Sequence, residues 1–428
     1  MLRKLCLLVF ASALLLVARP AHAATPQLHA AHDAIEYIRT LQRPDGGFPA
    51  FGTDSSPGST IDTVFALAAA NFDPTVFTTS GNGPDDYLAA QAASYSADPG
   101  AAAKLALAVS ILGLDPSNFG GVDLLATMDA AYNDVTGAYG IDLFDQAFYM
   151  LELARLGTPV PSEANSYLLS LQQGDGGWEF ASGFGTDTNT TAMVVQALIA
   201  GGTAASDPAI DDALSYLAGA QNFYGGFAYS AGFDPDPNST AVVIQALVAA
   251  GEDLSESGPW APGGNTPIEG LLTFRNGANG AFQYFGSDSA FATYQAVPAL
   301  VPAPFPALPP AKLSGDSDGD GCEDAEENGT DAMLGGRRSY LNPYDFYDAA
   351  GPGGPPDGAV DLPNDILGVI LRYTPSQPPP GYLPAHAPYD RGPIWPGGQS
   401  WNRRPPDGTI DLVNDILGVI LQYQHRCV

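Results

Sequence analysis

The chain is poor in cysteine and in positive charge. Of its 428 residues, 3 are Cys, 5 are His and 16 are Lys or Arg, against 47 Asp or Glu. Between Ala24 and Gly321 there is no Cys, and the only His are His29 and His32. That stretch therefore lacks the Cys/His donor set from which zinc sites are built. Between Ala24 and Val301 the basic residues are Arg39, Arg43, Lys104, Arg155 and Arg275, too sparse to clamp a diphosphate. A net charge of −31 argues against nucleic acid and anionic membrane surfaces, and neither zinc nor a nucleotide is expected as cofactor. No apolar run after the first two dozen residues is long enough to span a bilayer. With 45% apolar and 15% charged residues, the composition is that of a packed globular chain rather than a disordered acidic one.

What is present begins with a leader. Arg3 and Lys4 precede an apolar run from Leu5 to Val17, followed by Ala21-His22-Ala23. This is the pattern of a signal peptide cleaved near Ala23, which predicts a secreted mature chain from Ala24. Cys322 and Cys427 would then meet an oxidising setting, where a disulfide between them is expected; two free thiols are the alternative.

The next feature is a repeat. LQQGDGGW at 171–178 followed by FGTDTNTTAMVVQAL recurs 49 positions later as AQNFYGGF and FDPDPNSTAVVIQAL. Asp187/Asp236, Asn189/Asn238, Thr191/Thr240 and Gln196/Gln245 fall in register. Weaker copies open the stretch (LQRPDGGF at 41–48) and close it (GAFQYF at 280–285). Each unit reads as an amphipathic helix, a Gly-Gly turn with an aromatic, and an Asn/Ser/Thr-capped helix that is apolar nearly all round. Six such pairs are expected: 30–43 with 59–71, 84–96 with 99–113, 121–131 with 143–157, 162–173 with 189–201, 208–221 with 239–251, and 266–276 with 289–301. A period near fifty residues is the mark of a repeat architecture. One buried and one half-exposed helix per unit predicts an all-α fold, an (α/α)6 toroid with the buried helices ringing a cavity.

The Q-x-x-x-G-G-W/F motif resembles the QW-type repeat of terpenoid cyclase and protein prenyltransferase toroids, over about residues 28–305. The closing ATYQAVPALVPAPFP is most similar to secreted bacterial transcobalamin-like relatives. The resemblance implies fold more than activity, because unrelated functions share the ring. A prenyltransferase would need the missing zinc site, and a complement-like thioester the missing Cys. A class II cyclase protonates its substrate with the middle acid of D-x-D-D-T-A; here the aligned letters are DTNTTA at 187–192 and DPNSTA at 236–241, with Asn189 and Asn238 in that place. An amide cannot supply that proton.

Two readings of the ring stay open. Asp187 and Asp236 are weak catalytic candidates, for instance as the carboxylates of a glycosidase, or they cap the helices that follow. The aromatics after the turns either clamp neighbouring hairpins or line a ligand cavity; on the second reading Trp178, Phe184, Asn189, Phe227, Phe233, Asn238 and Phe282 form it. A small-molecule, corrinoid or carbohydrate ligand is the expected partner. The preferred function is non-catalytic binding; a carbohydrate-active or cyclase-like enzyme, or an extracellular scaffold, are the alternatives.

A Pro-rich linker is read at 302–312, and residues 313–428 have another composition. DSDGDGCEDAEE places Asp316, Asp318, Asp320, the Cys322 carbonyl, Asp324 and Glu327 at positions 1, 3, 5, 7, 9 and 12 of an EF-hand calcium loop, with Gly321 at position 6. Without a preceding helix it resembles a thrombospondin type 3 repeat; a solvated acidic linker is the bland alternative. PPDGAVDLPNDILGVILRY at 355–373 then recurs, with four changes, at 405–423. Each copy resembles half of a dockerin module, which implies calcium at Asp357, Asp361, Asp365, Asp407, Asp411 and Asp415 and a cohesin-like or cell-surface partner. From Asp357 to Asp365 the spacing is one residue longer than in an EF-hand, and Asp361 and Asp411 read equally well as helix N-caps. Structural Ca2+ is the one cofactor expected.

Overall fold

The computed structural model describes residues 26–305 apart from 73, 75 and 76, and residues 315–427 apart from 328–330, 352–355, 374–383 and 396–398. The leader expected at 1–23 and residues 306–312 of the expected linker lie outside them.

Twelve helices form the first part: α1 (Pro26–Leu41), α2 (Pro57–Ala69), α3 (Pro84–Tyr95), α4 (Pro99–Ile111), α5 (Leu124–Ala131), α6 (Leu143–Arg155), α7 (Ser162–Ser170), α8 (Thr188–Ala200), α9 (Pro208–Ala218), α10 (Pro237–Ala250), α11 (Pro267–Leu272) and α12 (Ala290–Leu300). Asp98, Asp123, Asp142, Asp187, Asp207 and Asp236 start six of them as N-caps. Proline in the first turn of α2, α4, α9 and α10 spends no amide that the helix would have used. The even-numbered helices are the apolar ones. Each packs on the next, α2 on α4 through to α10 on α12, and α12 returns to α2. The odd-numbered helices lie outside: α3 and α5 back onto the inner helix before them, and α1 covers α12. This closed circuit is an (α/α)6 toroid. Among the described residues no helix is long and apolar enough to cross a membrane.

The repeated letters have physical jobs at the joint between units. Gln42, Gln172 and Gln221 each donate two hydrogen bonds from Nε2. One goes to the carbonyl of the Gly-Gly turn in the same unit (Gly46, Gly176, Gly225), the other to a carbonyl of the next unit (Phe77, Ala209, Trp260). The first glycine of the turn has φ near +87° and faces a backbone carbonyl beside the next outer helix: Gly46 faces Gly83, Gly176 faces Asp212, Gly225 faces Thr266, and Gly280 faces Asp33 of α1, closing the ring. A Cβ there would collide with backbone, so the turn requires glycine both for φ and for space. The aromatic that follows donates its N–H inward, from Phe48 to Thr60 Oγ1, Trp178 to Thr191, Phe227 to Thr240 and Phe282 to Thr293, at 2.9–3.0 Å. In the third unit Gln146 Oε1 replaces the threonine and accepts from Tyr139 N.

The sequence pattern anticipates only helices. Two short antiparallel ribbons also occur, β1 (Trp178–Glu179) with β2 (Thr186–Asp187), and β3 (Phe282–Tyr284) with β4 (Ser287–Ser289). They form because the aromatic after the turn is extended and lies beside the extended N-cap of the inner helix.

In the second part, Cys322 and Cys427 are joined by a disulfide, closing a loop of 105 residues. Such a loop restricts the unfolded chain by on the order of 4–5 kcal/mol in the chain-entropy model. A four-residue helix α13 (Asp324–Glu327) ends the acidic loop. The duplicated segments each form a π-type turn (Leu362–Ile366, Leu412–Ile416) running into a short helix, α14 (Leu367–Ile370) and α15 (Leu417–Leu421). The bonds from Ile366 N to Asp361 O and from Ile416 N to Asp411 O span five residues, which is how the extra residue is absorbed. Each helix packs on the other copy's turn around Val360, Ile366, Val369, Ile410 and Val419.

Replacing Thr191 by Val keeps the shape and leaves the buried Trp178 N–H without its acceptor. Thr191→Val is expected to cost roughly 1–3 kcal/mol in denaturant unfolding, and Thr191→Ser to recover most of it. Equal stability of the two variants would mean the threonine register does not hold the turn.

Candidate functional site

The inner helices border a partly open cavity of about 230 Å³, to which all six contribute. Position follows from the threonine register. On α2, α8, α10 and α12, nine of the twelve residues two before, two after and five after that threonine line the cavity. They are Asp62 and Phe65 on α2, Asn189 and Met193 on α8, Val242 and Gln245 on α10, and Phe291, Gln295 and Pro298 on α12. With Gln146 taken as the register residue of α6, the same rule gives Phe144 and Phe148. Lys104, Tyr294 and Phe305 complete the wall.

Phe305 lies just beyond α12 yet lines the cavity. Its ring meets Phe65 edge-on at 4.9 Å, and its N–H donates to Gln196 Oε1 at 2.9 Å. It therefore lies against the third turn of α2 and α8, while Asn189 and Phe291 lie in the first turns of their helices. Every connection from an outer to an inner helix lies at that first-turn face. Four of them carry strongly exposed aromatics there: Phe51, Phe184, Phe233 and Phe285, 70–93% accessible.

The polar groups in the wall are few. Lys104 Nζ and Asp62 Oδ1 pair at 2.6 Å. Burial pulls the Lys104 ammonium down, but Asp62 and Tyr95 outweigh it and hold it above the ordinary lysine value. Asn238 Nδ2 donates to Gln295 Oε1 at 2.7 Å. The buried Gln245 Oε1 has no partner.

Of the residues expected to form the cavity, Asn189 lines it and Asn238 reaches it through Gln295. The aromatics lie elsewhere, and here the expectation is corrected. Trp178, Phe227 and Phe282 are fully buried between helices, Trp178 with its indole N–H on Leu168 O. Phe184 and Phe233 are exposed at the rim. The Gly-Gly turn puts the aromatic N–H on the inner helix, so its side chain packs between hairpins instead of reaching the axis. Asp187 and Asp236 cap their helices with both oxygens engaged. One oxygen accepts from the Thr190 or Ser239 N–H, and the other from the same residue's hydroxyl. Burial raises the Asp187 carboxyl above the usual carboxylate range despite those bonds. Phe65, Phe148 and Gln245 were absent from the expected set. Counting from the register threonine rather than from the aromatic would have found them.

In the second part, ligand atoms of Asp316, Asp318 and Asp320 lie within 4.8 Å of one another, as do those of Asp320, Glu327 and Asp345. Asp345, eighteen residues beyond the loop, was not anticipated. Asp324 instead accepts from Ser317 N and Oγ, both at 2.7 Å. Cys322 N donates to Asp320 Oδ1, and the Cys322 sulfur is committed to the disulfide. Asp318 Oδ2, both Glu327 oxygens and Asp345 Oδ1 are buried without a partner. Burial, then mutual repulsion, pushes Asp318, Glu327 and Asp345 well above the usual carboxylate range, and burial lifts Asp320 to about 7. Oxygen donors alone, several orphaned and mutually repelling, fit a hard divalent cation.

The duplicated acids are arranged differently. Asp361 and Asp411 cap their π-type turns. Asp365 accepts from Ala349 N and Asp361 N; Asp415 accepts from Arg391 N, Asp411 N and Tyr347 Oη. Asp357 and Asp407 bond within their own turns, to Ala359 N and Thr409 N. Asp348 and Asp390, unremarked in the sequence, accept from the glycine N–H of each Asp-Gly pair. Leu362/Leu412, Leu367/Leu417, Ile370/Ile420 and Leu371/Leu421 are exposed in both copies.

No protein-family model and no curated protein matches the chain. Among solved structures it is similar to the type II terpene cyclase MstE from Scytonema (16% identity, TM-score 0.47, 64% of this chain and 98% of that one). A protein from Actinoplanes (15%, 0.46, 64% and 98%) and the GH76A α-1,6-mannanase from Salegentibacter sp. HEL1_6 (12%, 0.45, 64% and 98%) are also similar to it.

If Asp187 and Asp236 serve as caps, replacing either by Ala lowers stability by about 0.5–2 kcal/mol, and Asn at either site costs less. Unfolding titrations of the four variants check this; unchanged stability in the alanine variants would return these carboxylates to candidacy for chemistry.

Proposed function

We propose that this is a secreted binding protein whose ring takes a small molecule, or one end of a larger one, without catalysis. A calcium-stabilised tail follows the ring. The observation that carries the reading is the cavity bordered by all six inner helices, with Phe305 at one end and exposed aromatics at the other. Its wall of Phe65, Phe144, Phe148, Met193, Val242 and Phe291 favours an apolar ligand or the apolar face of a ring compound. Gln245 Oε1, buried and unbonded, asks for a donor on that ligand. Against catalysis stand Asp187 and Asp236, whose oxygens are occupied by helix starts, and Asp62, paired with Lys104. The duplicated exposed apolar side chains of α14 and α15 support a protein partner for the tail.

The test is a thermal-shift screen of the mature chain with calcium, against isoprenoids, oligosaccharides and corrinoids. A ligand at a hundred times its dissociation constant adds about 2.7 kcal/mol of stability. Val242→Trp, which fills the cavity, is expected to abolish the shift while leaving the helical signal intact. A blank across all three classes would favour a scaffold instead.

Calcium has its own test. Chelation is expected to loosen residues 315–427 to proteolysis and leave the helical signal of residues 26–305 unchanged. A tail equally resistant with and without chelator would remove the ion from this reading.

A further inference from the structure

The calcium reading of the 316–327 loop leaves one residue unaccounted for. Asp345 arrives from a separate segment, is 1% accessible, and shares a ligand cluster with Asp320 and Glu327. The cluster does not stand on acidity alone. Glu327 is fully buried with both oxygens unpartnered, and Asp318 and Asp345 each present one unpartnered buried oxygen. Among the described residues no Lys or Arg forms an ion pair with any of them. The nearby Arg338 spends its guanidinium on the carbonyls of Ala332 and Asp345, on Gln422 Oε1 and on His425 Nδ1. Its charge still acts on Asp320, Asp345 and Glu327, but one guanidinium without a direct pair leaves the cluster short of positive charge, and a cation from outside the chain would supply it.

Asp345 also faces the ring. Its Oδ2 accepts from Ser339 N at 2.8 Å, and Ser339 Oγ lies 3.3 Å from His32 Nδ1 on α1. The next two residues, Tyr340 and Leu341, are buried in the apolar cluster formed by α1, α2 and α12. Tyr344 then meets the His29 ring, with centroids 5.8 Å apart. One seven-residue stretch, 339–345, is thus gripped by the ring at one end and by the acidic cluster at the other.

We infer that Asp345 completes a divalent-cation site with Asp316, Asp318, Asp320 and Glu327, and that the bound ion locks the tail onto α1 of the ring. This rests on the calcium reading of the loop and adds a ligand and a consequence to it. Without the ion, Asp345 is repelled by Asp320 and Glu327, and the 339–345 stretch loses its anchor. With it, the carboxylates converge and hold Ser339, Tyr340 and Leu341 against the ring.

The experiment uses the full mature chain, stripped with chelator and titrated with calcium chloride by calorimetry, with hydrogen exchange followed in parallel on residues 26–41 and 337–346. Wild type is expected to bind calcium and to gain exchange protection in both segments. Asp345→Asn is expected to weaken one site by roughly 10–100-fold or more, the scale of losses around metal sites, and to forfeit the protection. Ser339→Ala, which keeps the backbone N–H but not the hydroxyl, should bind calcium like wild type and lose protection in 26–41 alone. If Asp318→Asn removes a site while Asp345→Asn binds as wild type does, the inference fails and the loop reading stands. If wild type binds no calcium, both fall. If calcium binds and residues 26–41 exchange at the same rate with and without it, the lock is wrong although the ligand set is right. Should Asp345→Asn lose the ring's helical signal, Asp345→Glu replaces it, with weaker binding and partial protection expected.

Discussion

At four joints of the ring a backbone carbonyl in or beside one outer helix comes so close to the preceding unit that only a glycine fits under it. Much follows from this approach. The glycine's positive φ turns the chain, its own carbonyl accepts from the unit's glutamine, and that same glutamine Nε2 reaches the next unit. The turn is thereby tied across the joint as well as along the chain. In the last unit Gly280 lies under Asp33 of α1, and Arg275 pairs with the Asp33 side chain, so one constraint both repeats and closes. A ring built this way has no free edge at which its apolar inner helices would meet water.

The same joint sets what the interior can be. Because the residue after the glycines donates its N–H to a threonine on the inner helix, the rotation of that helix is fixed. With the rotation fixed, most of the residues two before, two after and five after the threonine face the axis. Those residues can differ without breaking a joint bond, since none of the joint bonds involves them. Here they are mainly aromatic and aliphatic, with an ion pair and three amides. The cavity is a by-product of helix register, and its chemistry is independent of the joint bonds, although Asp62–Lys104 and Asn238–Gln295 also bridge neighbouring inner helices.

That independence explains what could be read in the sequence. Helices, their order and their partners were legible because turn glycines, cap residues and apolar faces are local signals, and they agree within a few residues with the helices found. The two short ribbons were not, because a two-residue extended pairing leaves no periodicity. The cavity wall was only half legible: Asn189 was visible as a departure from a familiar motif, whereas Phe65 and Gln245 look like any core residue until the register is known. Trp178 misleads for the opposite reason, being conspicuous in sequence and structural in place. Asp345 carried no signal, since nothing local distinguishes NPYDFYD from a surface turn.

In a chain with 47 acids, position matters less than whether each oxygen is satisfied. Asp187, Asp236, Asp361 and Asp411 look alike in sequence to residues that do chemistry, yet each accepts backbone N–H bonds at a helix or turn start, an arrangement complete in itself. Asp365 and Asp415 are buried and equally complete. Asp318, Glu327 and Asp345 are buried and incomplete, and burial without a partner is costly for a carboxylate in either protonation state. A fold tolerates such a cost where something absent from the chain supplies the missing contact. Gln245 in the ring cavity follows the same logic on a smaller scale, a neutral acceptor left open where the wall is otherwise apolar. These two unsatisfied places are different in kind: one calls for a hard cation, the other for a mostly apolar ligand with a single donor. The 339–345 stretch and Phe305, which tie the tail and the end of α12 to the ring, lie beside one each.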